Sequence, residues 1–432
     1  MKLPAAYRAR IAGELPDAEA YFACLDAPPV KGVRVNTRKI SCEEFLSKRI
    51  LNIDGAVPWA DAAYYIRDEK PGRGIPFAAG LFYVQEPSAA CAAPLLQASP
   101  GERVLDLCAA PGGKSMQLAA AMKGKGILVL NEKIPSRAAI LSENVERMGV
   151  TNAVVLCADP ESLEERFAGW FDKILVDAPC SGEGMFRKEP AALAEWSEAN
   201  VAMCADRQKK IIKSAVKMLR PGGRLVYSTC TFSREEDENN AARFVEEDGL
   251  TLLEEHKLWP HRVRGEGHYA ALFLKTGGEE MAPIRRAKNL SADKRDAAVW
   301  RAFEGEFLKA PLRGELLSFG HALYLVPEGL FPLAGLKVLR AGVRLGEVSG
   351  GRFEPAHALA MAVQRENFCN ANELTEEEAR AYLRGEEVPA SCGKGWCAAM
   401  YGGFALGLGK ASGVVMKNKL PKALRRVGQR AE

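Results

Sequence analysis

The sequence predicts an α/β fold whose centre is a doubly wound parallel sheet, with smaller regions before and after it. Between about residues 76 and 276, apolar strand patterns alternate with helical patterns, which is typical of such a sheet. A glycine-rich segment follows the first of these strands, and a cysteine follows each of two later ones. The predicted strands are RVLDLCA, GILVLNE, AVVLCAD, KILVDAP, GRLVYST and YAALFLK. Their apolar density fits strands that are buried on both faces.

Length and composition indicate a globular protein of several domains. The chain has 432 residues, too many for one ordinary core, and a net charge of only +4, which permits nucleic-acid binding without arguing for it. The cysteine count of 11 is odd and the N-terminus lacks a signal-peptide pattern, so we expect reduced thiols in a cytoplasmic protein. The longest charge-free runs are too short for a bilayer span, and we expect no membrane association.

Four regions can be delimited, and nothing in them requires more than a monomer. Residues 1–75 mix helix and strand patterns, and residues 76–276 carry the predicted sheet. The charged stretch 276–296 reads as a linker that leads into a small α+β domain at 284–352. Residues 356–430 close the chain with a glycine-rich β pattern and a basic tail.

The segment VLDLCAAPGGK (104–114) predicts a strand, a tight turn and the start of a helix, which is a common ligand-binding arrangement. Gly112 and Gly113 are expected to let a ligand approach the backbone, and the helix N-terminus offers free N–H groups to an anionic group. A phosphate-binding P-loop requires glycine where this chain has Cys108, and the dinucleotide motif G-x-G-x-x-G is absent. S-adenosylmethionine is the cofactor that remains.

Two acidic residues after the next strands fit that cofactor. Glu132 ends the second strand, where a carboxylate can accept hydrogen bonds from both ribose hydroxyls. Asp159 follows the third strand and can accept from the adenine amino group. Either residue alone could equally be an exposed acid at a strand end, but beside the glycine loop the binding role is favoured.

Two cysteines indicate chemistry on a pyrimidine. Cys180 lies in DKILVDAPCSGEGMFRK (172–188) and Cys230 in GGRLVYSTCTFSREEDE (222–238), each directly after a buried strand. We therefore expect both thiols to meet at one edge of the sheet. A thiolate that adds to C6 of cytosine turns C5 into a nucleophile for a methyl sulfonium.

The surrounding residues suggest a role for each thiol. Cys230 precedes a helix whose expected capping box, Ser233 with Glu236, would place the helix N-terminus near the sulfur and favour the thiolate. Cys180 fits a base or a product-release role, and Asp177 can bond N3 or the exocyclic amine and also lie near the sulfonium. Cys392 and Cys397 are spaced C-x4-C, but no second pair or histidine cluster accompanies them, so we expect no metal site.

These motifs resemble the RNA 5-methylcytosine methyltransferases of the Nop/Sun family. RVNT (34–37), YVQEPSA (83–89) and GEGHYAALFLK (265–275) resemble further motifs of that family, so the resemblance spans about residues 34–275. It implies a Rossmann-like, class I S-adenosylmethionine-dependent methyltransferase with Cys230 as nucleophile and Cys180 as its helper. A nucleophile in the Thr-Cys motif also points to RNA rather than DNA. The cofactor-binding residues implied are Cys108, Ala109, Ala110, Pro111, Gly112, Gly113, Lys114, Glu132, Asp159 and Asp177.

The C-terminal part resembles one branch of the family. MAVQRENF (361–368), EEEARAYLRGEEVP (376–389) and residues 395–426 are similar to the PUA-like RNA-binding module of RsmF-type enzymes. That branch methylates 16S ribosomal RNA in the small subunit, which the resemblance implies as the substrate.

Several basic residues are candidates for RNA contact, and other functions stay open at this point. Arg34, Arg187, Lys188 and the tail (416–430) are the RNA-backbone candidates, although ordinary surface charge would explain them too. The rival functions are a tRNA cytosine-5 methyltransferase, a small-molecule methyltransferase and a non-catalytic RNA-binding ribosome-assembly factor. The matched pair of cysteines argues against a protein that only binds, and the basic C-terminal module argues against a small substrate.

Overall fold

The computed structural model describes residues 1–278 and 291–425, and this part of the chain folds into four β-sheets. The helices are α1 Ala5–Glu14, α2 Ala18–Cys24, α3 Cys42–Ser47, α4 Ile75–Ala78, α5 Ala92–Leu95, α6 Gly113–Met122, α7 Pro135–Arg147, α8 Pro190–Glu195, α9 Glu198–Met218, α10 Glu238–Glu247, α11 Lys294–Phe307, α12 His357–Ala362 and α13 Glu376–Arg384. The strands are β1 Gly32–Val35, β2 Ile53–Ala56, β3 Ala63–Ile66, β4 Phe82–Val84, β5 Arg103–Asp106, β6 Ile127–Asn131, β7 Ala153–Leu156, β8 Phe171–Asp177, β9 Leu219–Thr229, β10 Leu250–Leu258, β11 His268–Lys275, β12 Glu315–Phe319, β13 Ala322–Val326, β14 Val338–Ala341, β15 Val343–Ser349, β16 Arg352–Pro355, β17 Ala371–Glu373, β18 Val388–Pro389, β19 Gly395–Tyr401, β20 Phe404–Ala411 and β21 Val415–Asn418. None of the helices in the described ranges is long and apolar enough to cross a membrane.

The central sheet confirms the predicted α/β class. Its order is β10-β11-β9-β8-β5-β6-β7-β14, and the five strands from β9 to β7 run parallel. Helices α5, α6 and α7 bury their apolar side chains on one face, and α9 and α10 bury theirs on the other. Because both faces are covered, the middle strands are apolar throughout, as in the fully buried ILVL of β6. The predicted sheet is therefore doubly wound, with antiparallel strands added at both edges.

The N-terminal region forms its own four-stranded sheet in the order β2-β3-β1-β4. Strand β4 pairs antiparallel with β1, so this sheet extends beyond residue 75, where we expected the region to end. Helices α1 and α2 do not pack on this sheet. They join an aromatic cluster with Phe186, Trp196 and Phe232, next to the cysteine loops.

Strand β14 links the predicted small α+β domain to the central sheet. It pairs antiparallel with β7, with Val338 opposite Leu156 and Ala341 opposite Val154. The sequence pattern marks β14 as a strand but carries no information about its partner. The 284–352 region is therefore not separate from the central sheet.

The C-terminal regions form two further sheets, β12-β13-β15-β16 and β17-β19-β20-β21-β18, which share one hydrophobic cluster. Helix α11 begins at Lys294, inside the stretch that we expected to be linker, and residues 279–290 of that stretch lie outside the described residues. In the basic tail, Lys417 and Lys422 are exposed, whereas Arg426 and Arg430 lie outside the described residues.

Candidate active site

The glycine loop connects β5 to α6 at the carboxyl edge of the sheet, as predicted, and its glycines also meet the packing of the protein itself. Gly112 has a φ of +117°, and a Cβ there would lie 3.1 Å from the Leu141 side chain. A Cβ on Gly113 would lie 3.4 Å from Tyr83 and from Gln85. Both vacant positions therefore point at neighbouring side chains. Gly112 is also required for its left-handed backbone, and the expectation that the two glycines let a ligand approach stays a prediction.

Side chains from β6 and α7 hold the loop in shape. Arg137 donates to the carbonyl oxygen of Ala110 at 2.7 Å, and Asn144 donates to that of Pro111 at 2.9 Å. Asn131 donates to the carbonyl oxygen of Leu107 at 3.2 Å. These residues were not predicted, because a single polar side chain on a strand or a helix carries no local signal of a contact with a loop.

The surroundings of Cys108 fit a cationic, hydroxyl-rich ligand. Burial raises the pKa of Asp106 to about 7, although Ser115 donates to its carboxylate at 2.7 Å. Burial, and then the carboxylates of Asp106, Glu132 and Asp177, raise the pKa of the Cys108 thiol far above its ordinary value. A thiol and a set of acceptors under negative potential suit the sulfonium, the ribose diol and the amino groups of S-adenosylmethionine. The thiol and the hydrogen-bond acceptors at this edge therefore fit that cofactor.

The two predicted acids lie after neighbouring strands, as the parallel order requires. Glu132 is buried; it accepts from the backbone N–H of Ile134 at 2.9 Å and faces Arg137 at 3.6 Å. Asp159 is half-exposed, accepts from the N–H of Glu161 and forms an ion pair with Lys133. Both carboxylates are preorganised at the edge where the cofactor was expected.

The prediction that the two cysteines meet at one sheet edge is confirmed. The Sγ atoms of Cys180 and Cys230 lie 3.2 Å apart, after β8 and β9. The N–H of Gly184 donates to the carbonyl oxygen of Cys230 at 2.8 Å, which ties the two loops together. The hydrogen bond with Cys230 and then burial raise the pKa of the Cys180 thiol well above its ordinary value. Cys180 therefore keeps its proton at neutral pH and can donate it toward the sulfur of Cys230.

Asp177 lies beside the thiols at the end of β8. It forms an ion pair with Lys114 at 2.8 Å and accepts from the Ser228 hydroxyl at 2.8 Å. Burial alone would raise the pKa of Asp177, but the Lys114 ammonium and then His268, whose Nε2 is 3.6 Å away, lower it well below its ordinary value. Asp177 is therefore an ionised acceptor. His268 was not predicted as a site residue, since its only sequence context is a strand end.

The expected capping box after Cys230 is wrong. Helix α10 begins at Glu238 and its N-cap Asp237 makes no side-chain capping bond, so the helix N-terminus is not next to the thiol. Glu236 is fully buried and accepts from the N–H of Ser181 at 3.0 Å and from Gln208 at 2.8 Å. The local pattern fits a cap, but Glu236 is instead used to hold the loop that carries Cys180.

Two of the three arginine and lysine candidates for RNA contact are buried. Arg34 is 3% exposed, and burial lowers its pKa to about 10. The Arg187 side chain is 5% exposed and forms an ion pair with Glu266 at 2.7 Å. Neither guanidinium is at the surface, so the expectation that they contact an RNA backbone is corrected. Lys188 is half-buried and remains a candidate.

Comparison with known proteins gives a consistent picture along the chain. The family model for 16S rRNA methyltransferase RsmB/F matches residues 93–274, and the model for the N-terminal domain of 16S rRNA methyltransferase RsmF matches residues 3–87. The models for the RsmF rRNA methyltransferase first C-terminal domain and for the methyltransferase RsmF PUA domain match residues 302–363 and 369–426.

Individual proteins agree with the family models. The ribosomal RNA small subunit methyltransferase F of Vibrio campbellii is 33% identical over an alignment that covers 98% of this chain and 97% of the relative. The enzyme of the same name from Vibrio parahaemolyticus is 34% identical with the same coverage. The crystal structure of NSun6 from Pyrococcus horikoshii with SFG is 23% identical with a TM-score of 0.58, covers 64% of this chain and 99% of its own, and supports the fold alone. The chain therefore belongs to the RsmB/F family of S-adenosylmethionine-dependent 16S rRNA methyltransferases and carries the RsmF-type N-terminal, C-terminal and PUA domains.

Proposed function

We propose that the protein transfers a methyl group to C5 of a cytosine in 16S rRNA through a covalent bond between Cys230 and C6. The observation that carries this proposal is the 3.2 Å contact between the sulfur atoms of Cys180 and Cys230. A methyltransferase that modifies an amino or hydroxyl group has no use for two adjacent thiols. Addition to C6 and later elimination from it require both a nucleophile and a second proton-transfer group.

The roles follow from the protonation states. Cys180 keeps its proton, and its S–H can stabilise Cys230 as the thiolate, which attacks C6. Electron density then moves to C5, which takes the methyl group. For release, the electron pair of the C5–H bond forms the C5=C6 double bond and the bond between Cys230 and C6 breaks. Cys180 passes its proton to the departing sulfur and takes up the proton that leaves C5, while the proton that Cys230 lost before its attack has gone to water.

Asp177 and Lys114 are placed to bind the base. The ionised carboxylate of Asp177 can accept from the exocyclic amine of cytosine, and Lys114, 2.8 Å from that carboxylate, can donate to N3 as negative charge develops there. When bound, the cofactor supplies the methyl sulfonium, and residues 108–114, Glu132, Asp159 and Asp177 are the groups proposed to hold it. The target cytosine must be flipped or splayed out, because C6 cannot reach a thiol inside a stacked helix.

The PUA domain at residues 369–426 is the proposed RNA-capturing part. Lys417 and Lys422 are exposed on it, and Lys188 follows the Cys180 loop, so these lysines are proposed to contact phosphates. We propose a monomeric enzyme of the cytoplasm that does not act on DNA.

Bisulfite sequencing tests the reaction directly. Unmodified total RNA and isolated small subunits are incubated with the purified protein and S-adenosylmethionine, and a newly protected cytosine in 16S rRNA is the expected result. The Cys180→Ala variant should in addition accumulate a covalent RNA–protein species that migrates slowly on a denaturing gel. Methylation of another base, or normal turnover of Cys180→Ala without any adduct, would refute the proposed mechanism.

A further inference from the structure

The first helix of the chain reaches the active-site loops through a buried ion pair. Arg10 of α1 donates from Nη2 to Oε1 of Glu183 at 2.5 Å. The Glu183 side chain has 0% exposed surface, and Arg10 has 14%. Glu183 lies three residues after Cys180 in the segment 172–188, and its sequence pattern predicted no role for this residue. An ion pair at this depth is costly to break, because the remaining charge cannot be solvated.

The carboxylate of Glu183 joins both cysteine loops. Its Oε1 also accepts from Trp196 Nε1 at 2.8 Å, and its Oε2 accepts from the backbone N–H of Phe232 at 3.0 Å. Phe232 is two residues after Cys230. The next residue, Gly184, donates to the carbonyl oxygen of Cys230, and a Cβ on Gly184 would lie 3.0 Å from that oxygen. Glu183 and Gly184 therefore tie the two loops together, alongside the hydrogen bonds of Ser181 with Thr231 and Glu236.

Arg10 is itself held in place by aromatic rings. Its guanidinium carbon lies 5.4 Å from the centre of the Tyr7 ring and 5.9 Å from that of Trp196. Tyr7 is fully buried and packs edge-on against Phe186 of the Cys180 loop, with ring centres 5.2 Å apart. Because the guanidinium lies within cation–π distance of both rings, it cannot move away from Glu183 without losing these contacts.

We propose that Arg10 is a positioning residue of the active site, which acts through Glu183 to hold the Cys180 and Cys230 loops at their working distance. The inference rests on the proposed two-thiol reaction. Through this ion pair, helix α1 influences the proposed reaction of the two thiols. A displacement of one loop by about 1 Å would lower the rate by up to about 100-fold without changing cofactor binding.

Three variants of the full-length protein form the test. Arg10→Met removes the charge and leaves Glu183 unpaired, and Arg8→Met makes the same change at an exposed position on the same helix. The double variant Arg10→Met/Glu183→Gln removes both charges and keeps one acceptor oxygen, which can accept from Trp196 or from Phe232 but not from both. We expect Arg10→Met to lower kcat about 10- to 100-fold with unchanged affinity for S-adenosylmethionine and unchanged KM for RNA. Arg8→Met should stay within about twofold of wild type, and the double variant, which no longer leaves an unpaired buried charge, should recover part of the loss.

A second readout measures the distance between the loops without any methyl transfer. Diamide takes one hydrogen from each thiol and joins Cys180 to Cys230 as a disulfide, at a rate that depends on how closely the sulfur atoms approach. This rate should be high in wild type and Arg8→Met, at least about tenfold lower in Arg10→Met, and partly restored in the double variant. If Arg10→Met does not fold, Arg10→Lys takes its place, because it keeps the charge but loses the planar guanidinium with its several N–H donors. We then expect smaller decreases in kcat and in the disulfide rate.

The outcomes separate the two proposals. Wild-type kcat and disulfide rate in Arg10→Met would overturn the positioning role, and so would a loss of activity that appears only as a raised KM for RNA. If wild type methylates no cytosine while its disulfide rate still responds to Arg10→Met, the proposed reaction is wrong and the positioning role stands.

Discussion

The two halves of the carboxyl edge of the central sheet are built in different ways. The cofactor end (residues 107–114, Glu132 and Asp159) is held by side chains from the next strand and helix, such as Asn131 and Asn144. The cysteine end (residues 178–188 and 230–237) is also held by a side chain from the helix between its two strands, Gln208 of α9, but in addition it is held by Arg10 of the first helix, a distant part of the chain. The proposed cofactor end is thus built from consecutive strand–helix units, β5 to β7, whereas the proposed reactive end also depends on the first helix of the chain.

The sharpest test of this division is to remove the proposed nucleophile, Cys230. Cys230→Ala should abolish methyl transfer, a loss of about 10⁴-fold or more, because the remaining thiol, Cys180, keeps its proton and is a poor nucleophile. The affinity for S-adenosylmethionine, measured by calorimetry, should stay within about twofold, because the cofactor end does not depend on this thiol. A large loss of cofactor affinity would show that the two ends are a single site.

Lys114 should give the next largest effect, because its ion pair with Asp177 joins the two ends. Lys114→Met leaves the carboxylate of Asp177 without its main partner. We expect kcat to fall about 100-fold and the free energy of unfolding to fall by about 2–4 kcal/mol, less than for a fully enclosed pair since Asp177 is 33% exposed. Urea unfolding and steady-state kinetics measure both. A loss of stability without a loss of kcat would exclude Lys114 from the reaction.

Asp106 provides a pH test confined to the cofactor end. Its folded-state pKa of about 7 lies above the ordinary value near 4, so the folded protein holds a proton that the unfolded chain has lost. The contribution of Asp106 to the free energy of unfolding is therefore highest below about pH 4 and declines as the pH rises to about 7. Asp106→Asn should remove this decline, and its advantage over wild type should grow by about 2 kcal/mol between pH 5.5 and pH 8. Urea unfolding at the two pH values measures it, and an advantage that does not change with pH would contradict the assignment.

The smallest effect is expected at Lys133, which pairs with Asp159 but is 68% exposed. Lys133→Met should change the free energy of unfolding by less than about 1 kcal/mol, since water and salt screen the pair. It is the matched control for Lys114→Met, because both remove a lysine from a carboxylate at the same sheet edge. A comparable destabilisation in both variants would mean that burial does not distinguish the two pairs.

The same division explains which features could be predicted from sequence. Cys180, Cys230 and the glycine loop each follow a recognisable apolar strand, and parallel strands bring their ends together, so their juxtaposition follows from local patterns. The contact between Arg10 and Glu183 has no such signal, because the two residues lie in different regions and neither pattern refers to the other. Nothing in the sequence near β14 names β7 as its partner either.

Burial accounts for the predictions that were wrong. Ser233 and Glu236 have the spacing of a capping box, but Glu236 is fully buried and its carboxylate accepts hydrogen bonds from Ser181 and Gln208 instead. Arg34 and Arg187 carry the charge that suits RNA, yet both lie inside the protein. A pattern of charges reports composition along the chain, and only the packed structure decides which charges reach the surface.

The pairing of β14 with β7 has a consequence during synthesis. The outer edge of β7 can be made at an early stage, but the strand that covers it begins only at Val338. At about 5–20 residues per second, the nascent chain leaves the ribosome with an open, apolar sheet edge for on the order of 10–40 seconds. In that interval the edge is a template for pairing with another chain, so the yield of folded enzyme should depend on protection of residues 153–156 until the last third of the protein has emerged.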